Sequence, residues 1–498
     1  MGELFKDINV PELGLTYRQP LGLFINNEFV APAGGSQLQT VSPANGARIA
    51  TFCAAGAADV DAAVAAARRA YEERWRFTSA EERGALLARL AELIDEEREV
   101  LAAIETLDGG KPYYTNALVD LEQIARVTRY YAGGADKLHK GDAFALSHTK
   151  QAYTLEVPYG VVAQIVPWNY PLAMASWKAQ GCLAAGNCVV MKPAENTSLS
   201  LLYFADLVRR AGFPPGVFNV LPGLGPEVGQ KLAEHKDVDK IAFTGSTAVG
   251  QKVMAAAALS NLKDVTLECG GKSPAVIFAD ADLDSAVEYV AGGIFYNSGQ
   301  NCTANSRIYV QETVYDEFLD KFRAHVRSTY SFGSGLFSKE CNMGPVISQT
   351  QYDRVMGYIK HGIAEEKLAY EQFASAPEEG YYIPPTIFLD VPQSSKLCRE
   401  EIFGPVAVVA KFKDYDEAIR YANDTTYGLA SCVFTENIRV AHRFVRDVQS
   451  GTVWVNSSND EEVAVPFGGF KMSGIGRELG DPGLQAYLQT KAVHLNFA

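Results

Sequence analysis

Cys302 and Glu268 are the two residues of this 498-residue chain best suited to covalent chemistry. Cys302 sits in the run Phe295-Tyr-Asn-Ser-Gly-Gln-Asn-Cys302-Thr, among small and polar neighbours. A structural cysteine usually has apolar company, whereas a nucleophilic thiol needs partial exposure and a group that takes its proton. Glu268 closes the apolar run Val265-Thr-Leu-Glu268 and is followed by Cys269 and the pair Gly270-Gly271. A carboxylate at the end of a sheet strand can serve as that base.

A second constellation suits an anion. Phe243-Thr-Gly245-Ser246-Thr-Ala-Val-Gly250 follows a strand pattern and opens a helix, which aims free N–H groups and a positive helix end outward. It is neither a P-loop nor GxGxxG, and alone it reads equally as a plain strand-to-helix turn. Lys192-Pro-Ala-Glu195 ends another apolar run on the same rim. Lys192 could bond ribose or phosphate oxygens. Glu195 could accept from a ribose 2′-hydroxyl and would repel a 2′-phosphate, which favours NAD over NADP; a surface Lys–Glu pair is the plainer alternative.

The elements that must hold these groups follow from apolar patterning. Leu21 to Val30 reads as a hairpin about Asn26-Asn27, Ser79-Ala-Glu-Glu82 as a capping box, and Leu86 to Ile94 as an amphipathic helix. From Gly160 the rhythm is βαβ, with strands expected at Val161 to Val166, Cys188 to Met191, Val217 to Leu221 and Lys240 to Thr244. A second α/β set follows Gly271, with runs at Ala275 to Phe278, Arg307 to Val310 and Val406 to Phe412. Residues 1–149 and 160–268 are assigned to a cofactor domain and 269–481 to a catalytic domain. Residues 150–159 and 482–498 carry strand patterns at Tyr153 to Val157 and Ala492 to Phe497, expected to pair with another subunit's edge.

Composition narrows the class. A chain that is 47% hydrophobic can bury more than one core. A net charge of −14 gives no basic footprint for nucleic acid or an anionic membrane. No apolar run approaches the ~18 residues needed to span a bilayer, and the opening Met1-Gly-Glu-Leu-Phe-Lys6 has no signal-peptide core. A soluble cytoplasmic protein is expected. The eight cysteines form no CxxC pair and the seven histidines no ligand cluster, so no metal is expected.

Seven motifs taken together name a family: Pro167-Trp168-Asn169-Tyr170-Pro171, Lys192 to Glu195, Phe243 to Gly250, Leu267 to Gly271, Gly299-Gln-Asn-Cys302, Glu400-Glu401-Ile-Phe403-Gly-Pro405 and Pro466-Phe467-Gly-Gly469. Over nearly the whole chain they closely resemble the NAD(P)-dependent aldehyde dehydrogenase superfamily. The segment Leu107-Asp-Gly-Gly-Lys-Pro112 is similar to the broad-specificity, acetaldehyde-type subgroup. The resemblance implies an α/β fold with a Rossmann-like cofactor domain, an α/β catalytic domain and a small β oligomerisation arm. It also implies a homotetramer built as a pair of dimers.

Position by position, the resemblance makes Cys302 the nucleophile, Glu268 the general base and Asn169, with the Cys302 N–H, the oxyanion hole. Lys178 and Glu478 match a proton path behind the base. Ile165, Trp168, Lys192, Glu195, Gly225, Gly245, Ser246, Gly250, Glu401 and Phe403 match the NAD site. Gln123, Tyr170, Met174, Trp177, Phe295, Asn301, Thr303, Glu461 and Phe467 match the walls that meet the aldehyde. The implied reaction oxidises an aldehyde to its acid through a hemithioacetal and a thioester, which water activated by Glu268 hydrolyses.

Glu268 argues against a CoA-acylating relative, in which that base is generally missing. A non-enzymatic protein on the same fold would have no reason to keep Cys302, Asn169 and Glu268 together. Departures from the family pattern fall mostly near the substrate. Cys269 replaces a usual leucine, Asn301 and Thr303 flank the nucleophile where cysteines are common, Gln123 replaces an apolar residue, and Ser457 to Glu462 replaces an often aromatic loop. Acids so close in sequence are expected to form a solvated turn and the substrate to be an uncharged aldehyde; the alternative is an amino- or betaine-aldehyde drawn to them.

Overall fold

The computed structural model describes residues 3–137 and 140–498 as a mixed α/β protein built on two large sheets and a ribbon. The first sheet has eight strands in the order Gly474–Ile475, Asp264–Glu268, Lys240–Thr244, Val161–Ile165, Cys188–Lys192, Phe218–Val220, Leu23–Ile25, Glu28–Val30. Its middle five strands run parallel, so their carboxyl ends share one rim. Those at Val161–Ile165, Cys188–Lys192 and Lys240–Thr244 are almost wholly buried, as strands covered by helices on both faces must be. The hairpin closes through Asn26 and Asn27, both at positive φ (56° and 64°), a turn that matches strand twist.

The second sheet has seven strands in the order Ala369–Gln372, Thr386–Leu389, Val406–Phe412, Arg307–Gln311, Pro274–Ile277, Ala430–Phe434, Thr452–Val455. Only its first pair is antiparallel. The helix Pro171–Ala184 opens with proline at its first position and is buried along its whole length, consistent with its apolar composition on all sides. Lys178 is therefore carried into the interior.

Two features depart from the sequence expectations. The strands Lys150–Pro158 and Leu488–Asn496 pair with each other, antiparallel from Leu488 opposite Pro158 to Asn496 opposite Lys150, and Ala143–Ser147 adds a third strand. The partner expected on another subunit is thus within the chain, because the two segments are long enough to satisfy one another's backbone. The last part of residues 269–481 also returns to the first sheet. Gly474–Ile475 covers the edge of Asp264–Glu268, and Leu479 and Leu484 join the first sheet's core. That return covers an edge otherwise open and delivers Glu478.

Candidate active site

The nucleophile loop is set by backbone geometry. The helix Leu283–Phe295, capped by the Asp282 side chain, runs into a tight turn with Asn297, Ser298 and Gly299 at positive φ (50°, 55° and 72°). Gly299 is needed there, since a Cβ would lie 2.1 Å from the Gly404 carbonyl oxygen. The Gln300 side chain accepts the Ile347 N–H at 2.9 Å, and its carbonyl accepts from the side-chain amides of Asn169 (3.0 Å) and Asn297 (3.3 Å). Cys302 emerges from this braced loop half-buried, with Sγ 3.4 Å from Glu268 Oε1.

Glu268 and Thr244 are register partners at the ends of adjacent parallel strands. The Thr244 hydroxyl donates to Glu268 Oε2 at 3.0 Å, Lys178 Nζ donates to Thr244 Oγ1 at 2.5 Å, and Lys178 pairs with Glu478. One hydrogen-bonded line therefore leads from the thiol to Glu478. Burial, then the Glu478 charge, raises the Glu268 carboxyl to about 7, with Lys178 opposing. Burial and the Glu268 carboxylate push the Cys302 thiol well above its ordinary value, so the resting pair holds its proton on sulfur. Asn169 commits one amide hydrogen to Gln300 and keeps the other. The Cys302 N–H makes no hydrogen bond among the described residues. Two uncommitted donors thus flank the thiol.

Beside this centre the cofactor candidates share the first sheet's rim. Ile165 and Lys192 are register partners at strand ends, and Gly225 lies in open space in the turn Gly225–Gly229. The Lys192 ammonium is buried, with the Pro193 carbonyl at 2.7 Å and Glu195 at 3.5 Å, which leaves donor capacity unused. Glu195 is half-exposed beside it. Ser246 caps the helix Thr247–Ser260, whose first N–H groups face outward. At Gly245 a Cβ would lie 2.6 Å from the Phe243 ring, and at buried Gly250 one would lie 2.9 Å from Cys269 Sγ. Nearer the thiol, Trp168 and Phe403 meet edge to face at 5.3 Å, Phe403 at φ +64°, and Glu401 accepts the Gly271 N–H at 2.8 Å. A spare buried ammonium, a glycine-lined turn and a helix end fit a dinucleotide.

Cys302 opens onto a cavity of about 670 Å³ lined by, among others, Gln123, Tyr170, Met174, Trp177, Asn301, Thr303, Glu461 and Phe467. Phe295 is not there: it is fully buried, stacked on Phe322 and edge-on to Tyr330, because it is the last residue of its helix and faces the second core. Tyr296, the next residue, lines the cavity instead. The acidic loop is not one solvated turn. Asp460 and Glu462 are exposed, the latter paired with Arg126 at 2.6 Å, but Glu461 turns into the cavity, where burial raises it to about 7. Asn459 at φ +53° makes that turn, its side chain accepting from Asn301 at 3.1 Å and from the Thr303 hydroxyl.

Sequence reasoning missed Thr244, Tyr296 and Asn459, and also Asp120, which lines the cavity and is paired with the buried Lys111 at 2.5 Å. Thr244 had a signal, since it ends its strand in the pattern that Glu268 ends the next. Among the described residues no cluster of three metal-ligating side chains forms, and no helix is long and apolar enough to cross a membrane.

The sequence profile of the aldehyde dehydrogenase family matches residues 29–493. Two Saccharomyces cerevisiae proteins described as NAD(P)+ aldehyde dehydrogenases 1 and 2 are 60% and 58% identical, each alignment covering 100% of this chain and 99% of the relative. Among solved structures, the NAD+ complex of a Bacillus cereus aldehyde dehydrogenase is similar with a TM-score of 0.93 and 44% identity, covering 96% of this chain and 97% of that one.

Proposed function

This chain belongs to the aldehyde dehydrogenase family, and from that premise we propose how its own residues oxidise an aldehyde to the carboxylic acid with NAD. Cys302 adds through sulfur to the aldehyde carbon, and its proton passes to Glu268, the oxygen 3.4 Å away. The alkoxide that forms takes the free amide hydrogen of Asn169 and the Cys302 N–H; one such donor is typically worth about 3 kcal/mol. Lys192, Glu195, Glu401 and the turns at Gly225 and Gly245 would hold NAD, which would supply the acceptor for the hydride that leaves the adduct carbon as the alkoxide re-forms its C=O bond. What remains on Cys302 is a thioester.

Glu268 first returns its proton along Thr244, Lys178 and Glu478, then takes one from water as that water attacks the thioester. General-base help of this kind is usually worth ~10²–10⁴ in rate. Hydrolysis over transfer to CoA is favoured by the presence of this base at the thiol. Glu195 favours NAD over NADP. A homotetramer resident in the cytoplasm is part of the same proposal.

The observation that carries this reading is the Cys302–Glu268 contact beside two uncommitted N–H donors. Replacing Cys302 with Ala is expected to abolish NADH formation while NAD still binds, as followed by protein fluorescence. Substantial dehydrogenase activity in that variant sinks the mechanism.

A further inference from the structure

We propose that Lys111, a buried ammonium behind the cavity wall, is a positioning residue that sets where the Asn169 amide meets the alkoxide. The inference rests on the aldehyde-oxidising reading above. Lys111 is 1% exposed, and its ammonium meets three groups: Asp120 at 2.5 Å, Glu105 at 3.2 Å and the face of the Tyr170 ring, 4.4 Å from its centroid. Burial works against its charge, but Asp120 and Glu105 hold the proton on the amine. No other cation pairs with either carboxylate among the described residues.

Each of these contacts leads to the reacting centre. Glu105 Oε1 accepts the Leu172 N–H at 3.0 Å, in the first turn of the helix Pro171–Ala184, and the Ser200 hydroxyl at 3.1 Å. Tyr170, whose ring lies on the ammonium, directly follows Asn169. On its other side Asn169 is tied to the nucleophile loop: its carbonyl accepts from the Asn297 amide at 3.1 Å, and its own amide donates to the Gln300 carbonyl at 3.0 Å. The segment from Asn169 to Leu172 is therefore held from two sides, by the nucleophile loop at one end and by Lys111 with Glu105 at the other. Asp120 closes the circuit, since Tyr296, which opens the turn leading to Cys302, places its hydroxyl 3.5 Å from Asp120 Oδ1. Without the ammonium, two buried carboxylates would face one another uncompensated. The chain would relax by moving them apart, and Leu172 and the Asn169 amide would move with Glu105.

An ion cluster that only stabilises the fold would show no energetic link to Asn169, and that difference can be measured. The test is a double-mutant cycle on the full-length enzyme, read as the single-turnover rate of NADH formation at saturating NAD and aldehyde. Lys111→Met is expected to slow this rate about 10–100-fold, the effect of an oxyanion donor displaced by about an ångström, while the KM for NAD changes less than about twofold. In an Asn169→Ala background, where the amide is already gone, the same substitution should cost less than about threefold. A parental rate in Lys111→Met, losses that multiply across the two positions, or a loss carried by the KM for NAD overturns the proposal. Should Lys111→Met fail to fold, Asp120→Asn carries the same cycle, because it takes one partner from the ammonium. Its effect on position should likewise vanish in the Asn169→Ala background, whereas a direct effect of Asp120 on the aldehyde would persist there in full and overturn the proposal. Asn169→Ala at the parental rate, or no NADH from the parent enzyme, would instead overturn the reading on which it rests.

Discussion

At the scale of single residues, the site is governed by one carboxyl whose proton must come and go. Glu268 is raised to about 7, so it is a base only above that pH and is lost as a base when pH falls below it. Thioester hydrolysis should therefore climb about tenfold per pH unit below 7 and level off above 8, with an apparent value that belongs to the coupled site. Glu268→Gln is expected to slow the stopped-flow burst of NADH, because the amide cannot take the thiol proton, and to slow the turnover that follows ~10²-fold or more. A burst at the parental rate would mean that the thiol proton leaves by another route than the 3.4 Å contact. Cofactor choice is likewise a residue-scale matter. Glu195 keeps its carboxylate half-exposed beside the buried Lys192 ammonium, so Glu195→Gln should narrow the preference in kcat/KM for NAD over NADP by removing repulsion of the 2′-phosphate. Equal use of both cofactors by the parent enzyme contradicts this role.

At the scale of elements, the catalytic contact depends on two loops passing closer than side chains allow. A Cβ on Gly271 would lie 2.3 Å from the Cys302 carbonyl oxygen, a backbone atom with no freedom to rotate away. Gly271→Ala should thus displace the nucleophile loop, cost about 1–3 kcal/mol of stability and lower kcat far more than it raises the KM for NAD. A variant with parental kcat and denaturant midpoint would show the loops to be more pliant than this packing implies. Legibility followed the same division. Strands and the residues ending them were readable because apolar runs and terminal polar residues survive in one dimension, which is how Glu268, Lys192 and Gly245 announced themselves. Lys178 and Glu478 were reachable only by resemblance, since their partnership spans helix Pro171–Ala184 and a returning tail. Phe295 misled because a terminal helix residue and its neighbour point to different sides, and Glu461 because a positive φ at Asn459, not periodicity, decides where an acid in an irregular loop points.

At the scale of the whole molecule, the three-stranded ribbon meets the first sheet's core at Leu488 and is otherwise largely outside it. Every residue of its outer strand Ala143–Ser147 is exposed, and Phe144, Leu146, Leu155 and Phe497 present apolar surface to solvent. That strand also leaves one row of N–H and C=O groups unpaired, the combination expected of a surface that meets another subunit. The proposed homotetramer uses it, and the charge it would resist can be introduced directly. Leu146→Lys combined with Leu155→Glu should place unpaired charges against apolar surface, and the assembly should fall to a smaller species in light scattering after size exclusion. Both positions are exposed in the single chain, so its fold should persist by circular dichroism while Tm falls by about several degrees as the subunit contact is lost. A parent enzyme that runs as a monomer would refute the assembly. A variant that stays fully assembled would move the interface away from the ribbon, most directly to the helix Thr247–Ser260, where Val249, Met254 and Leu259 are also exposed.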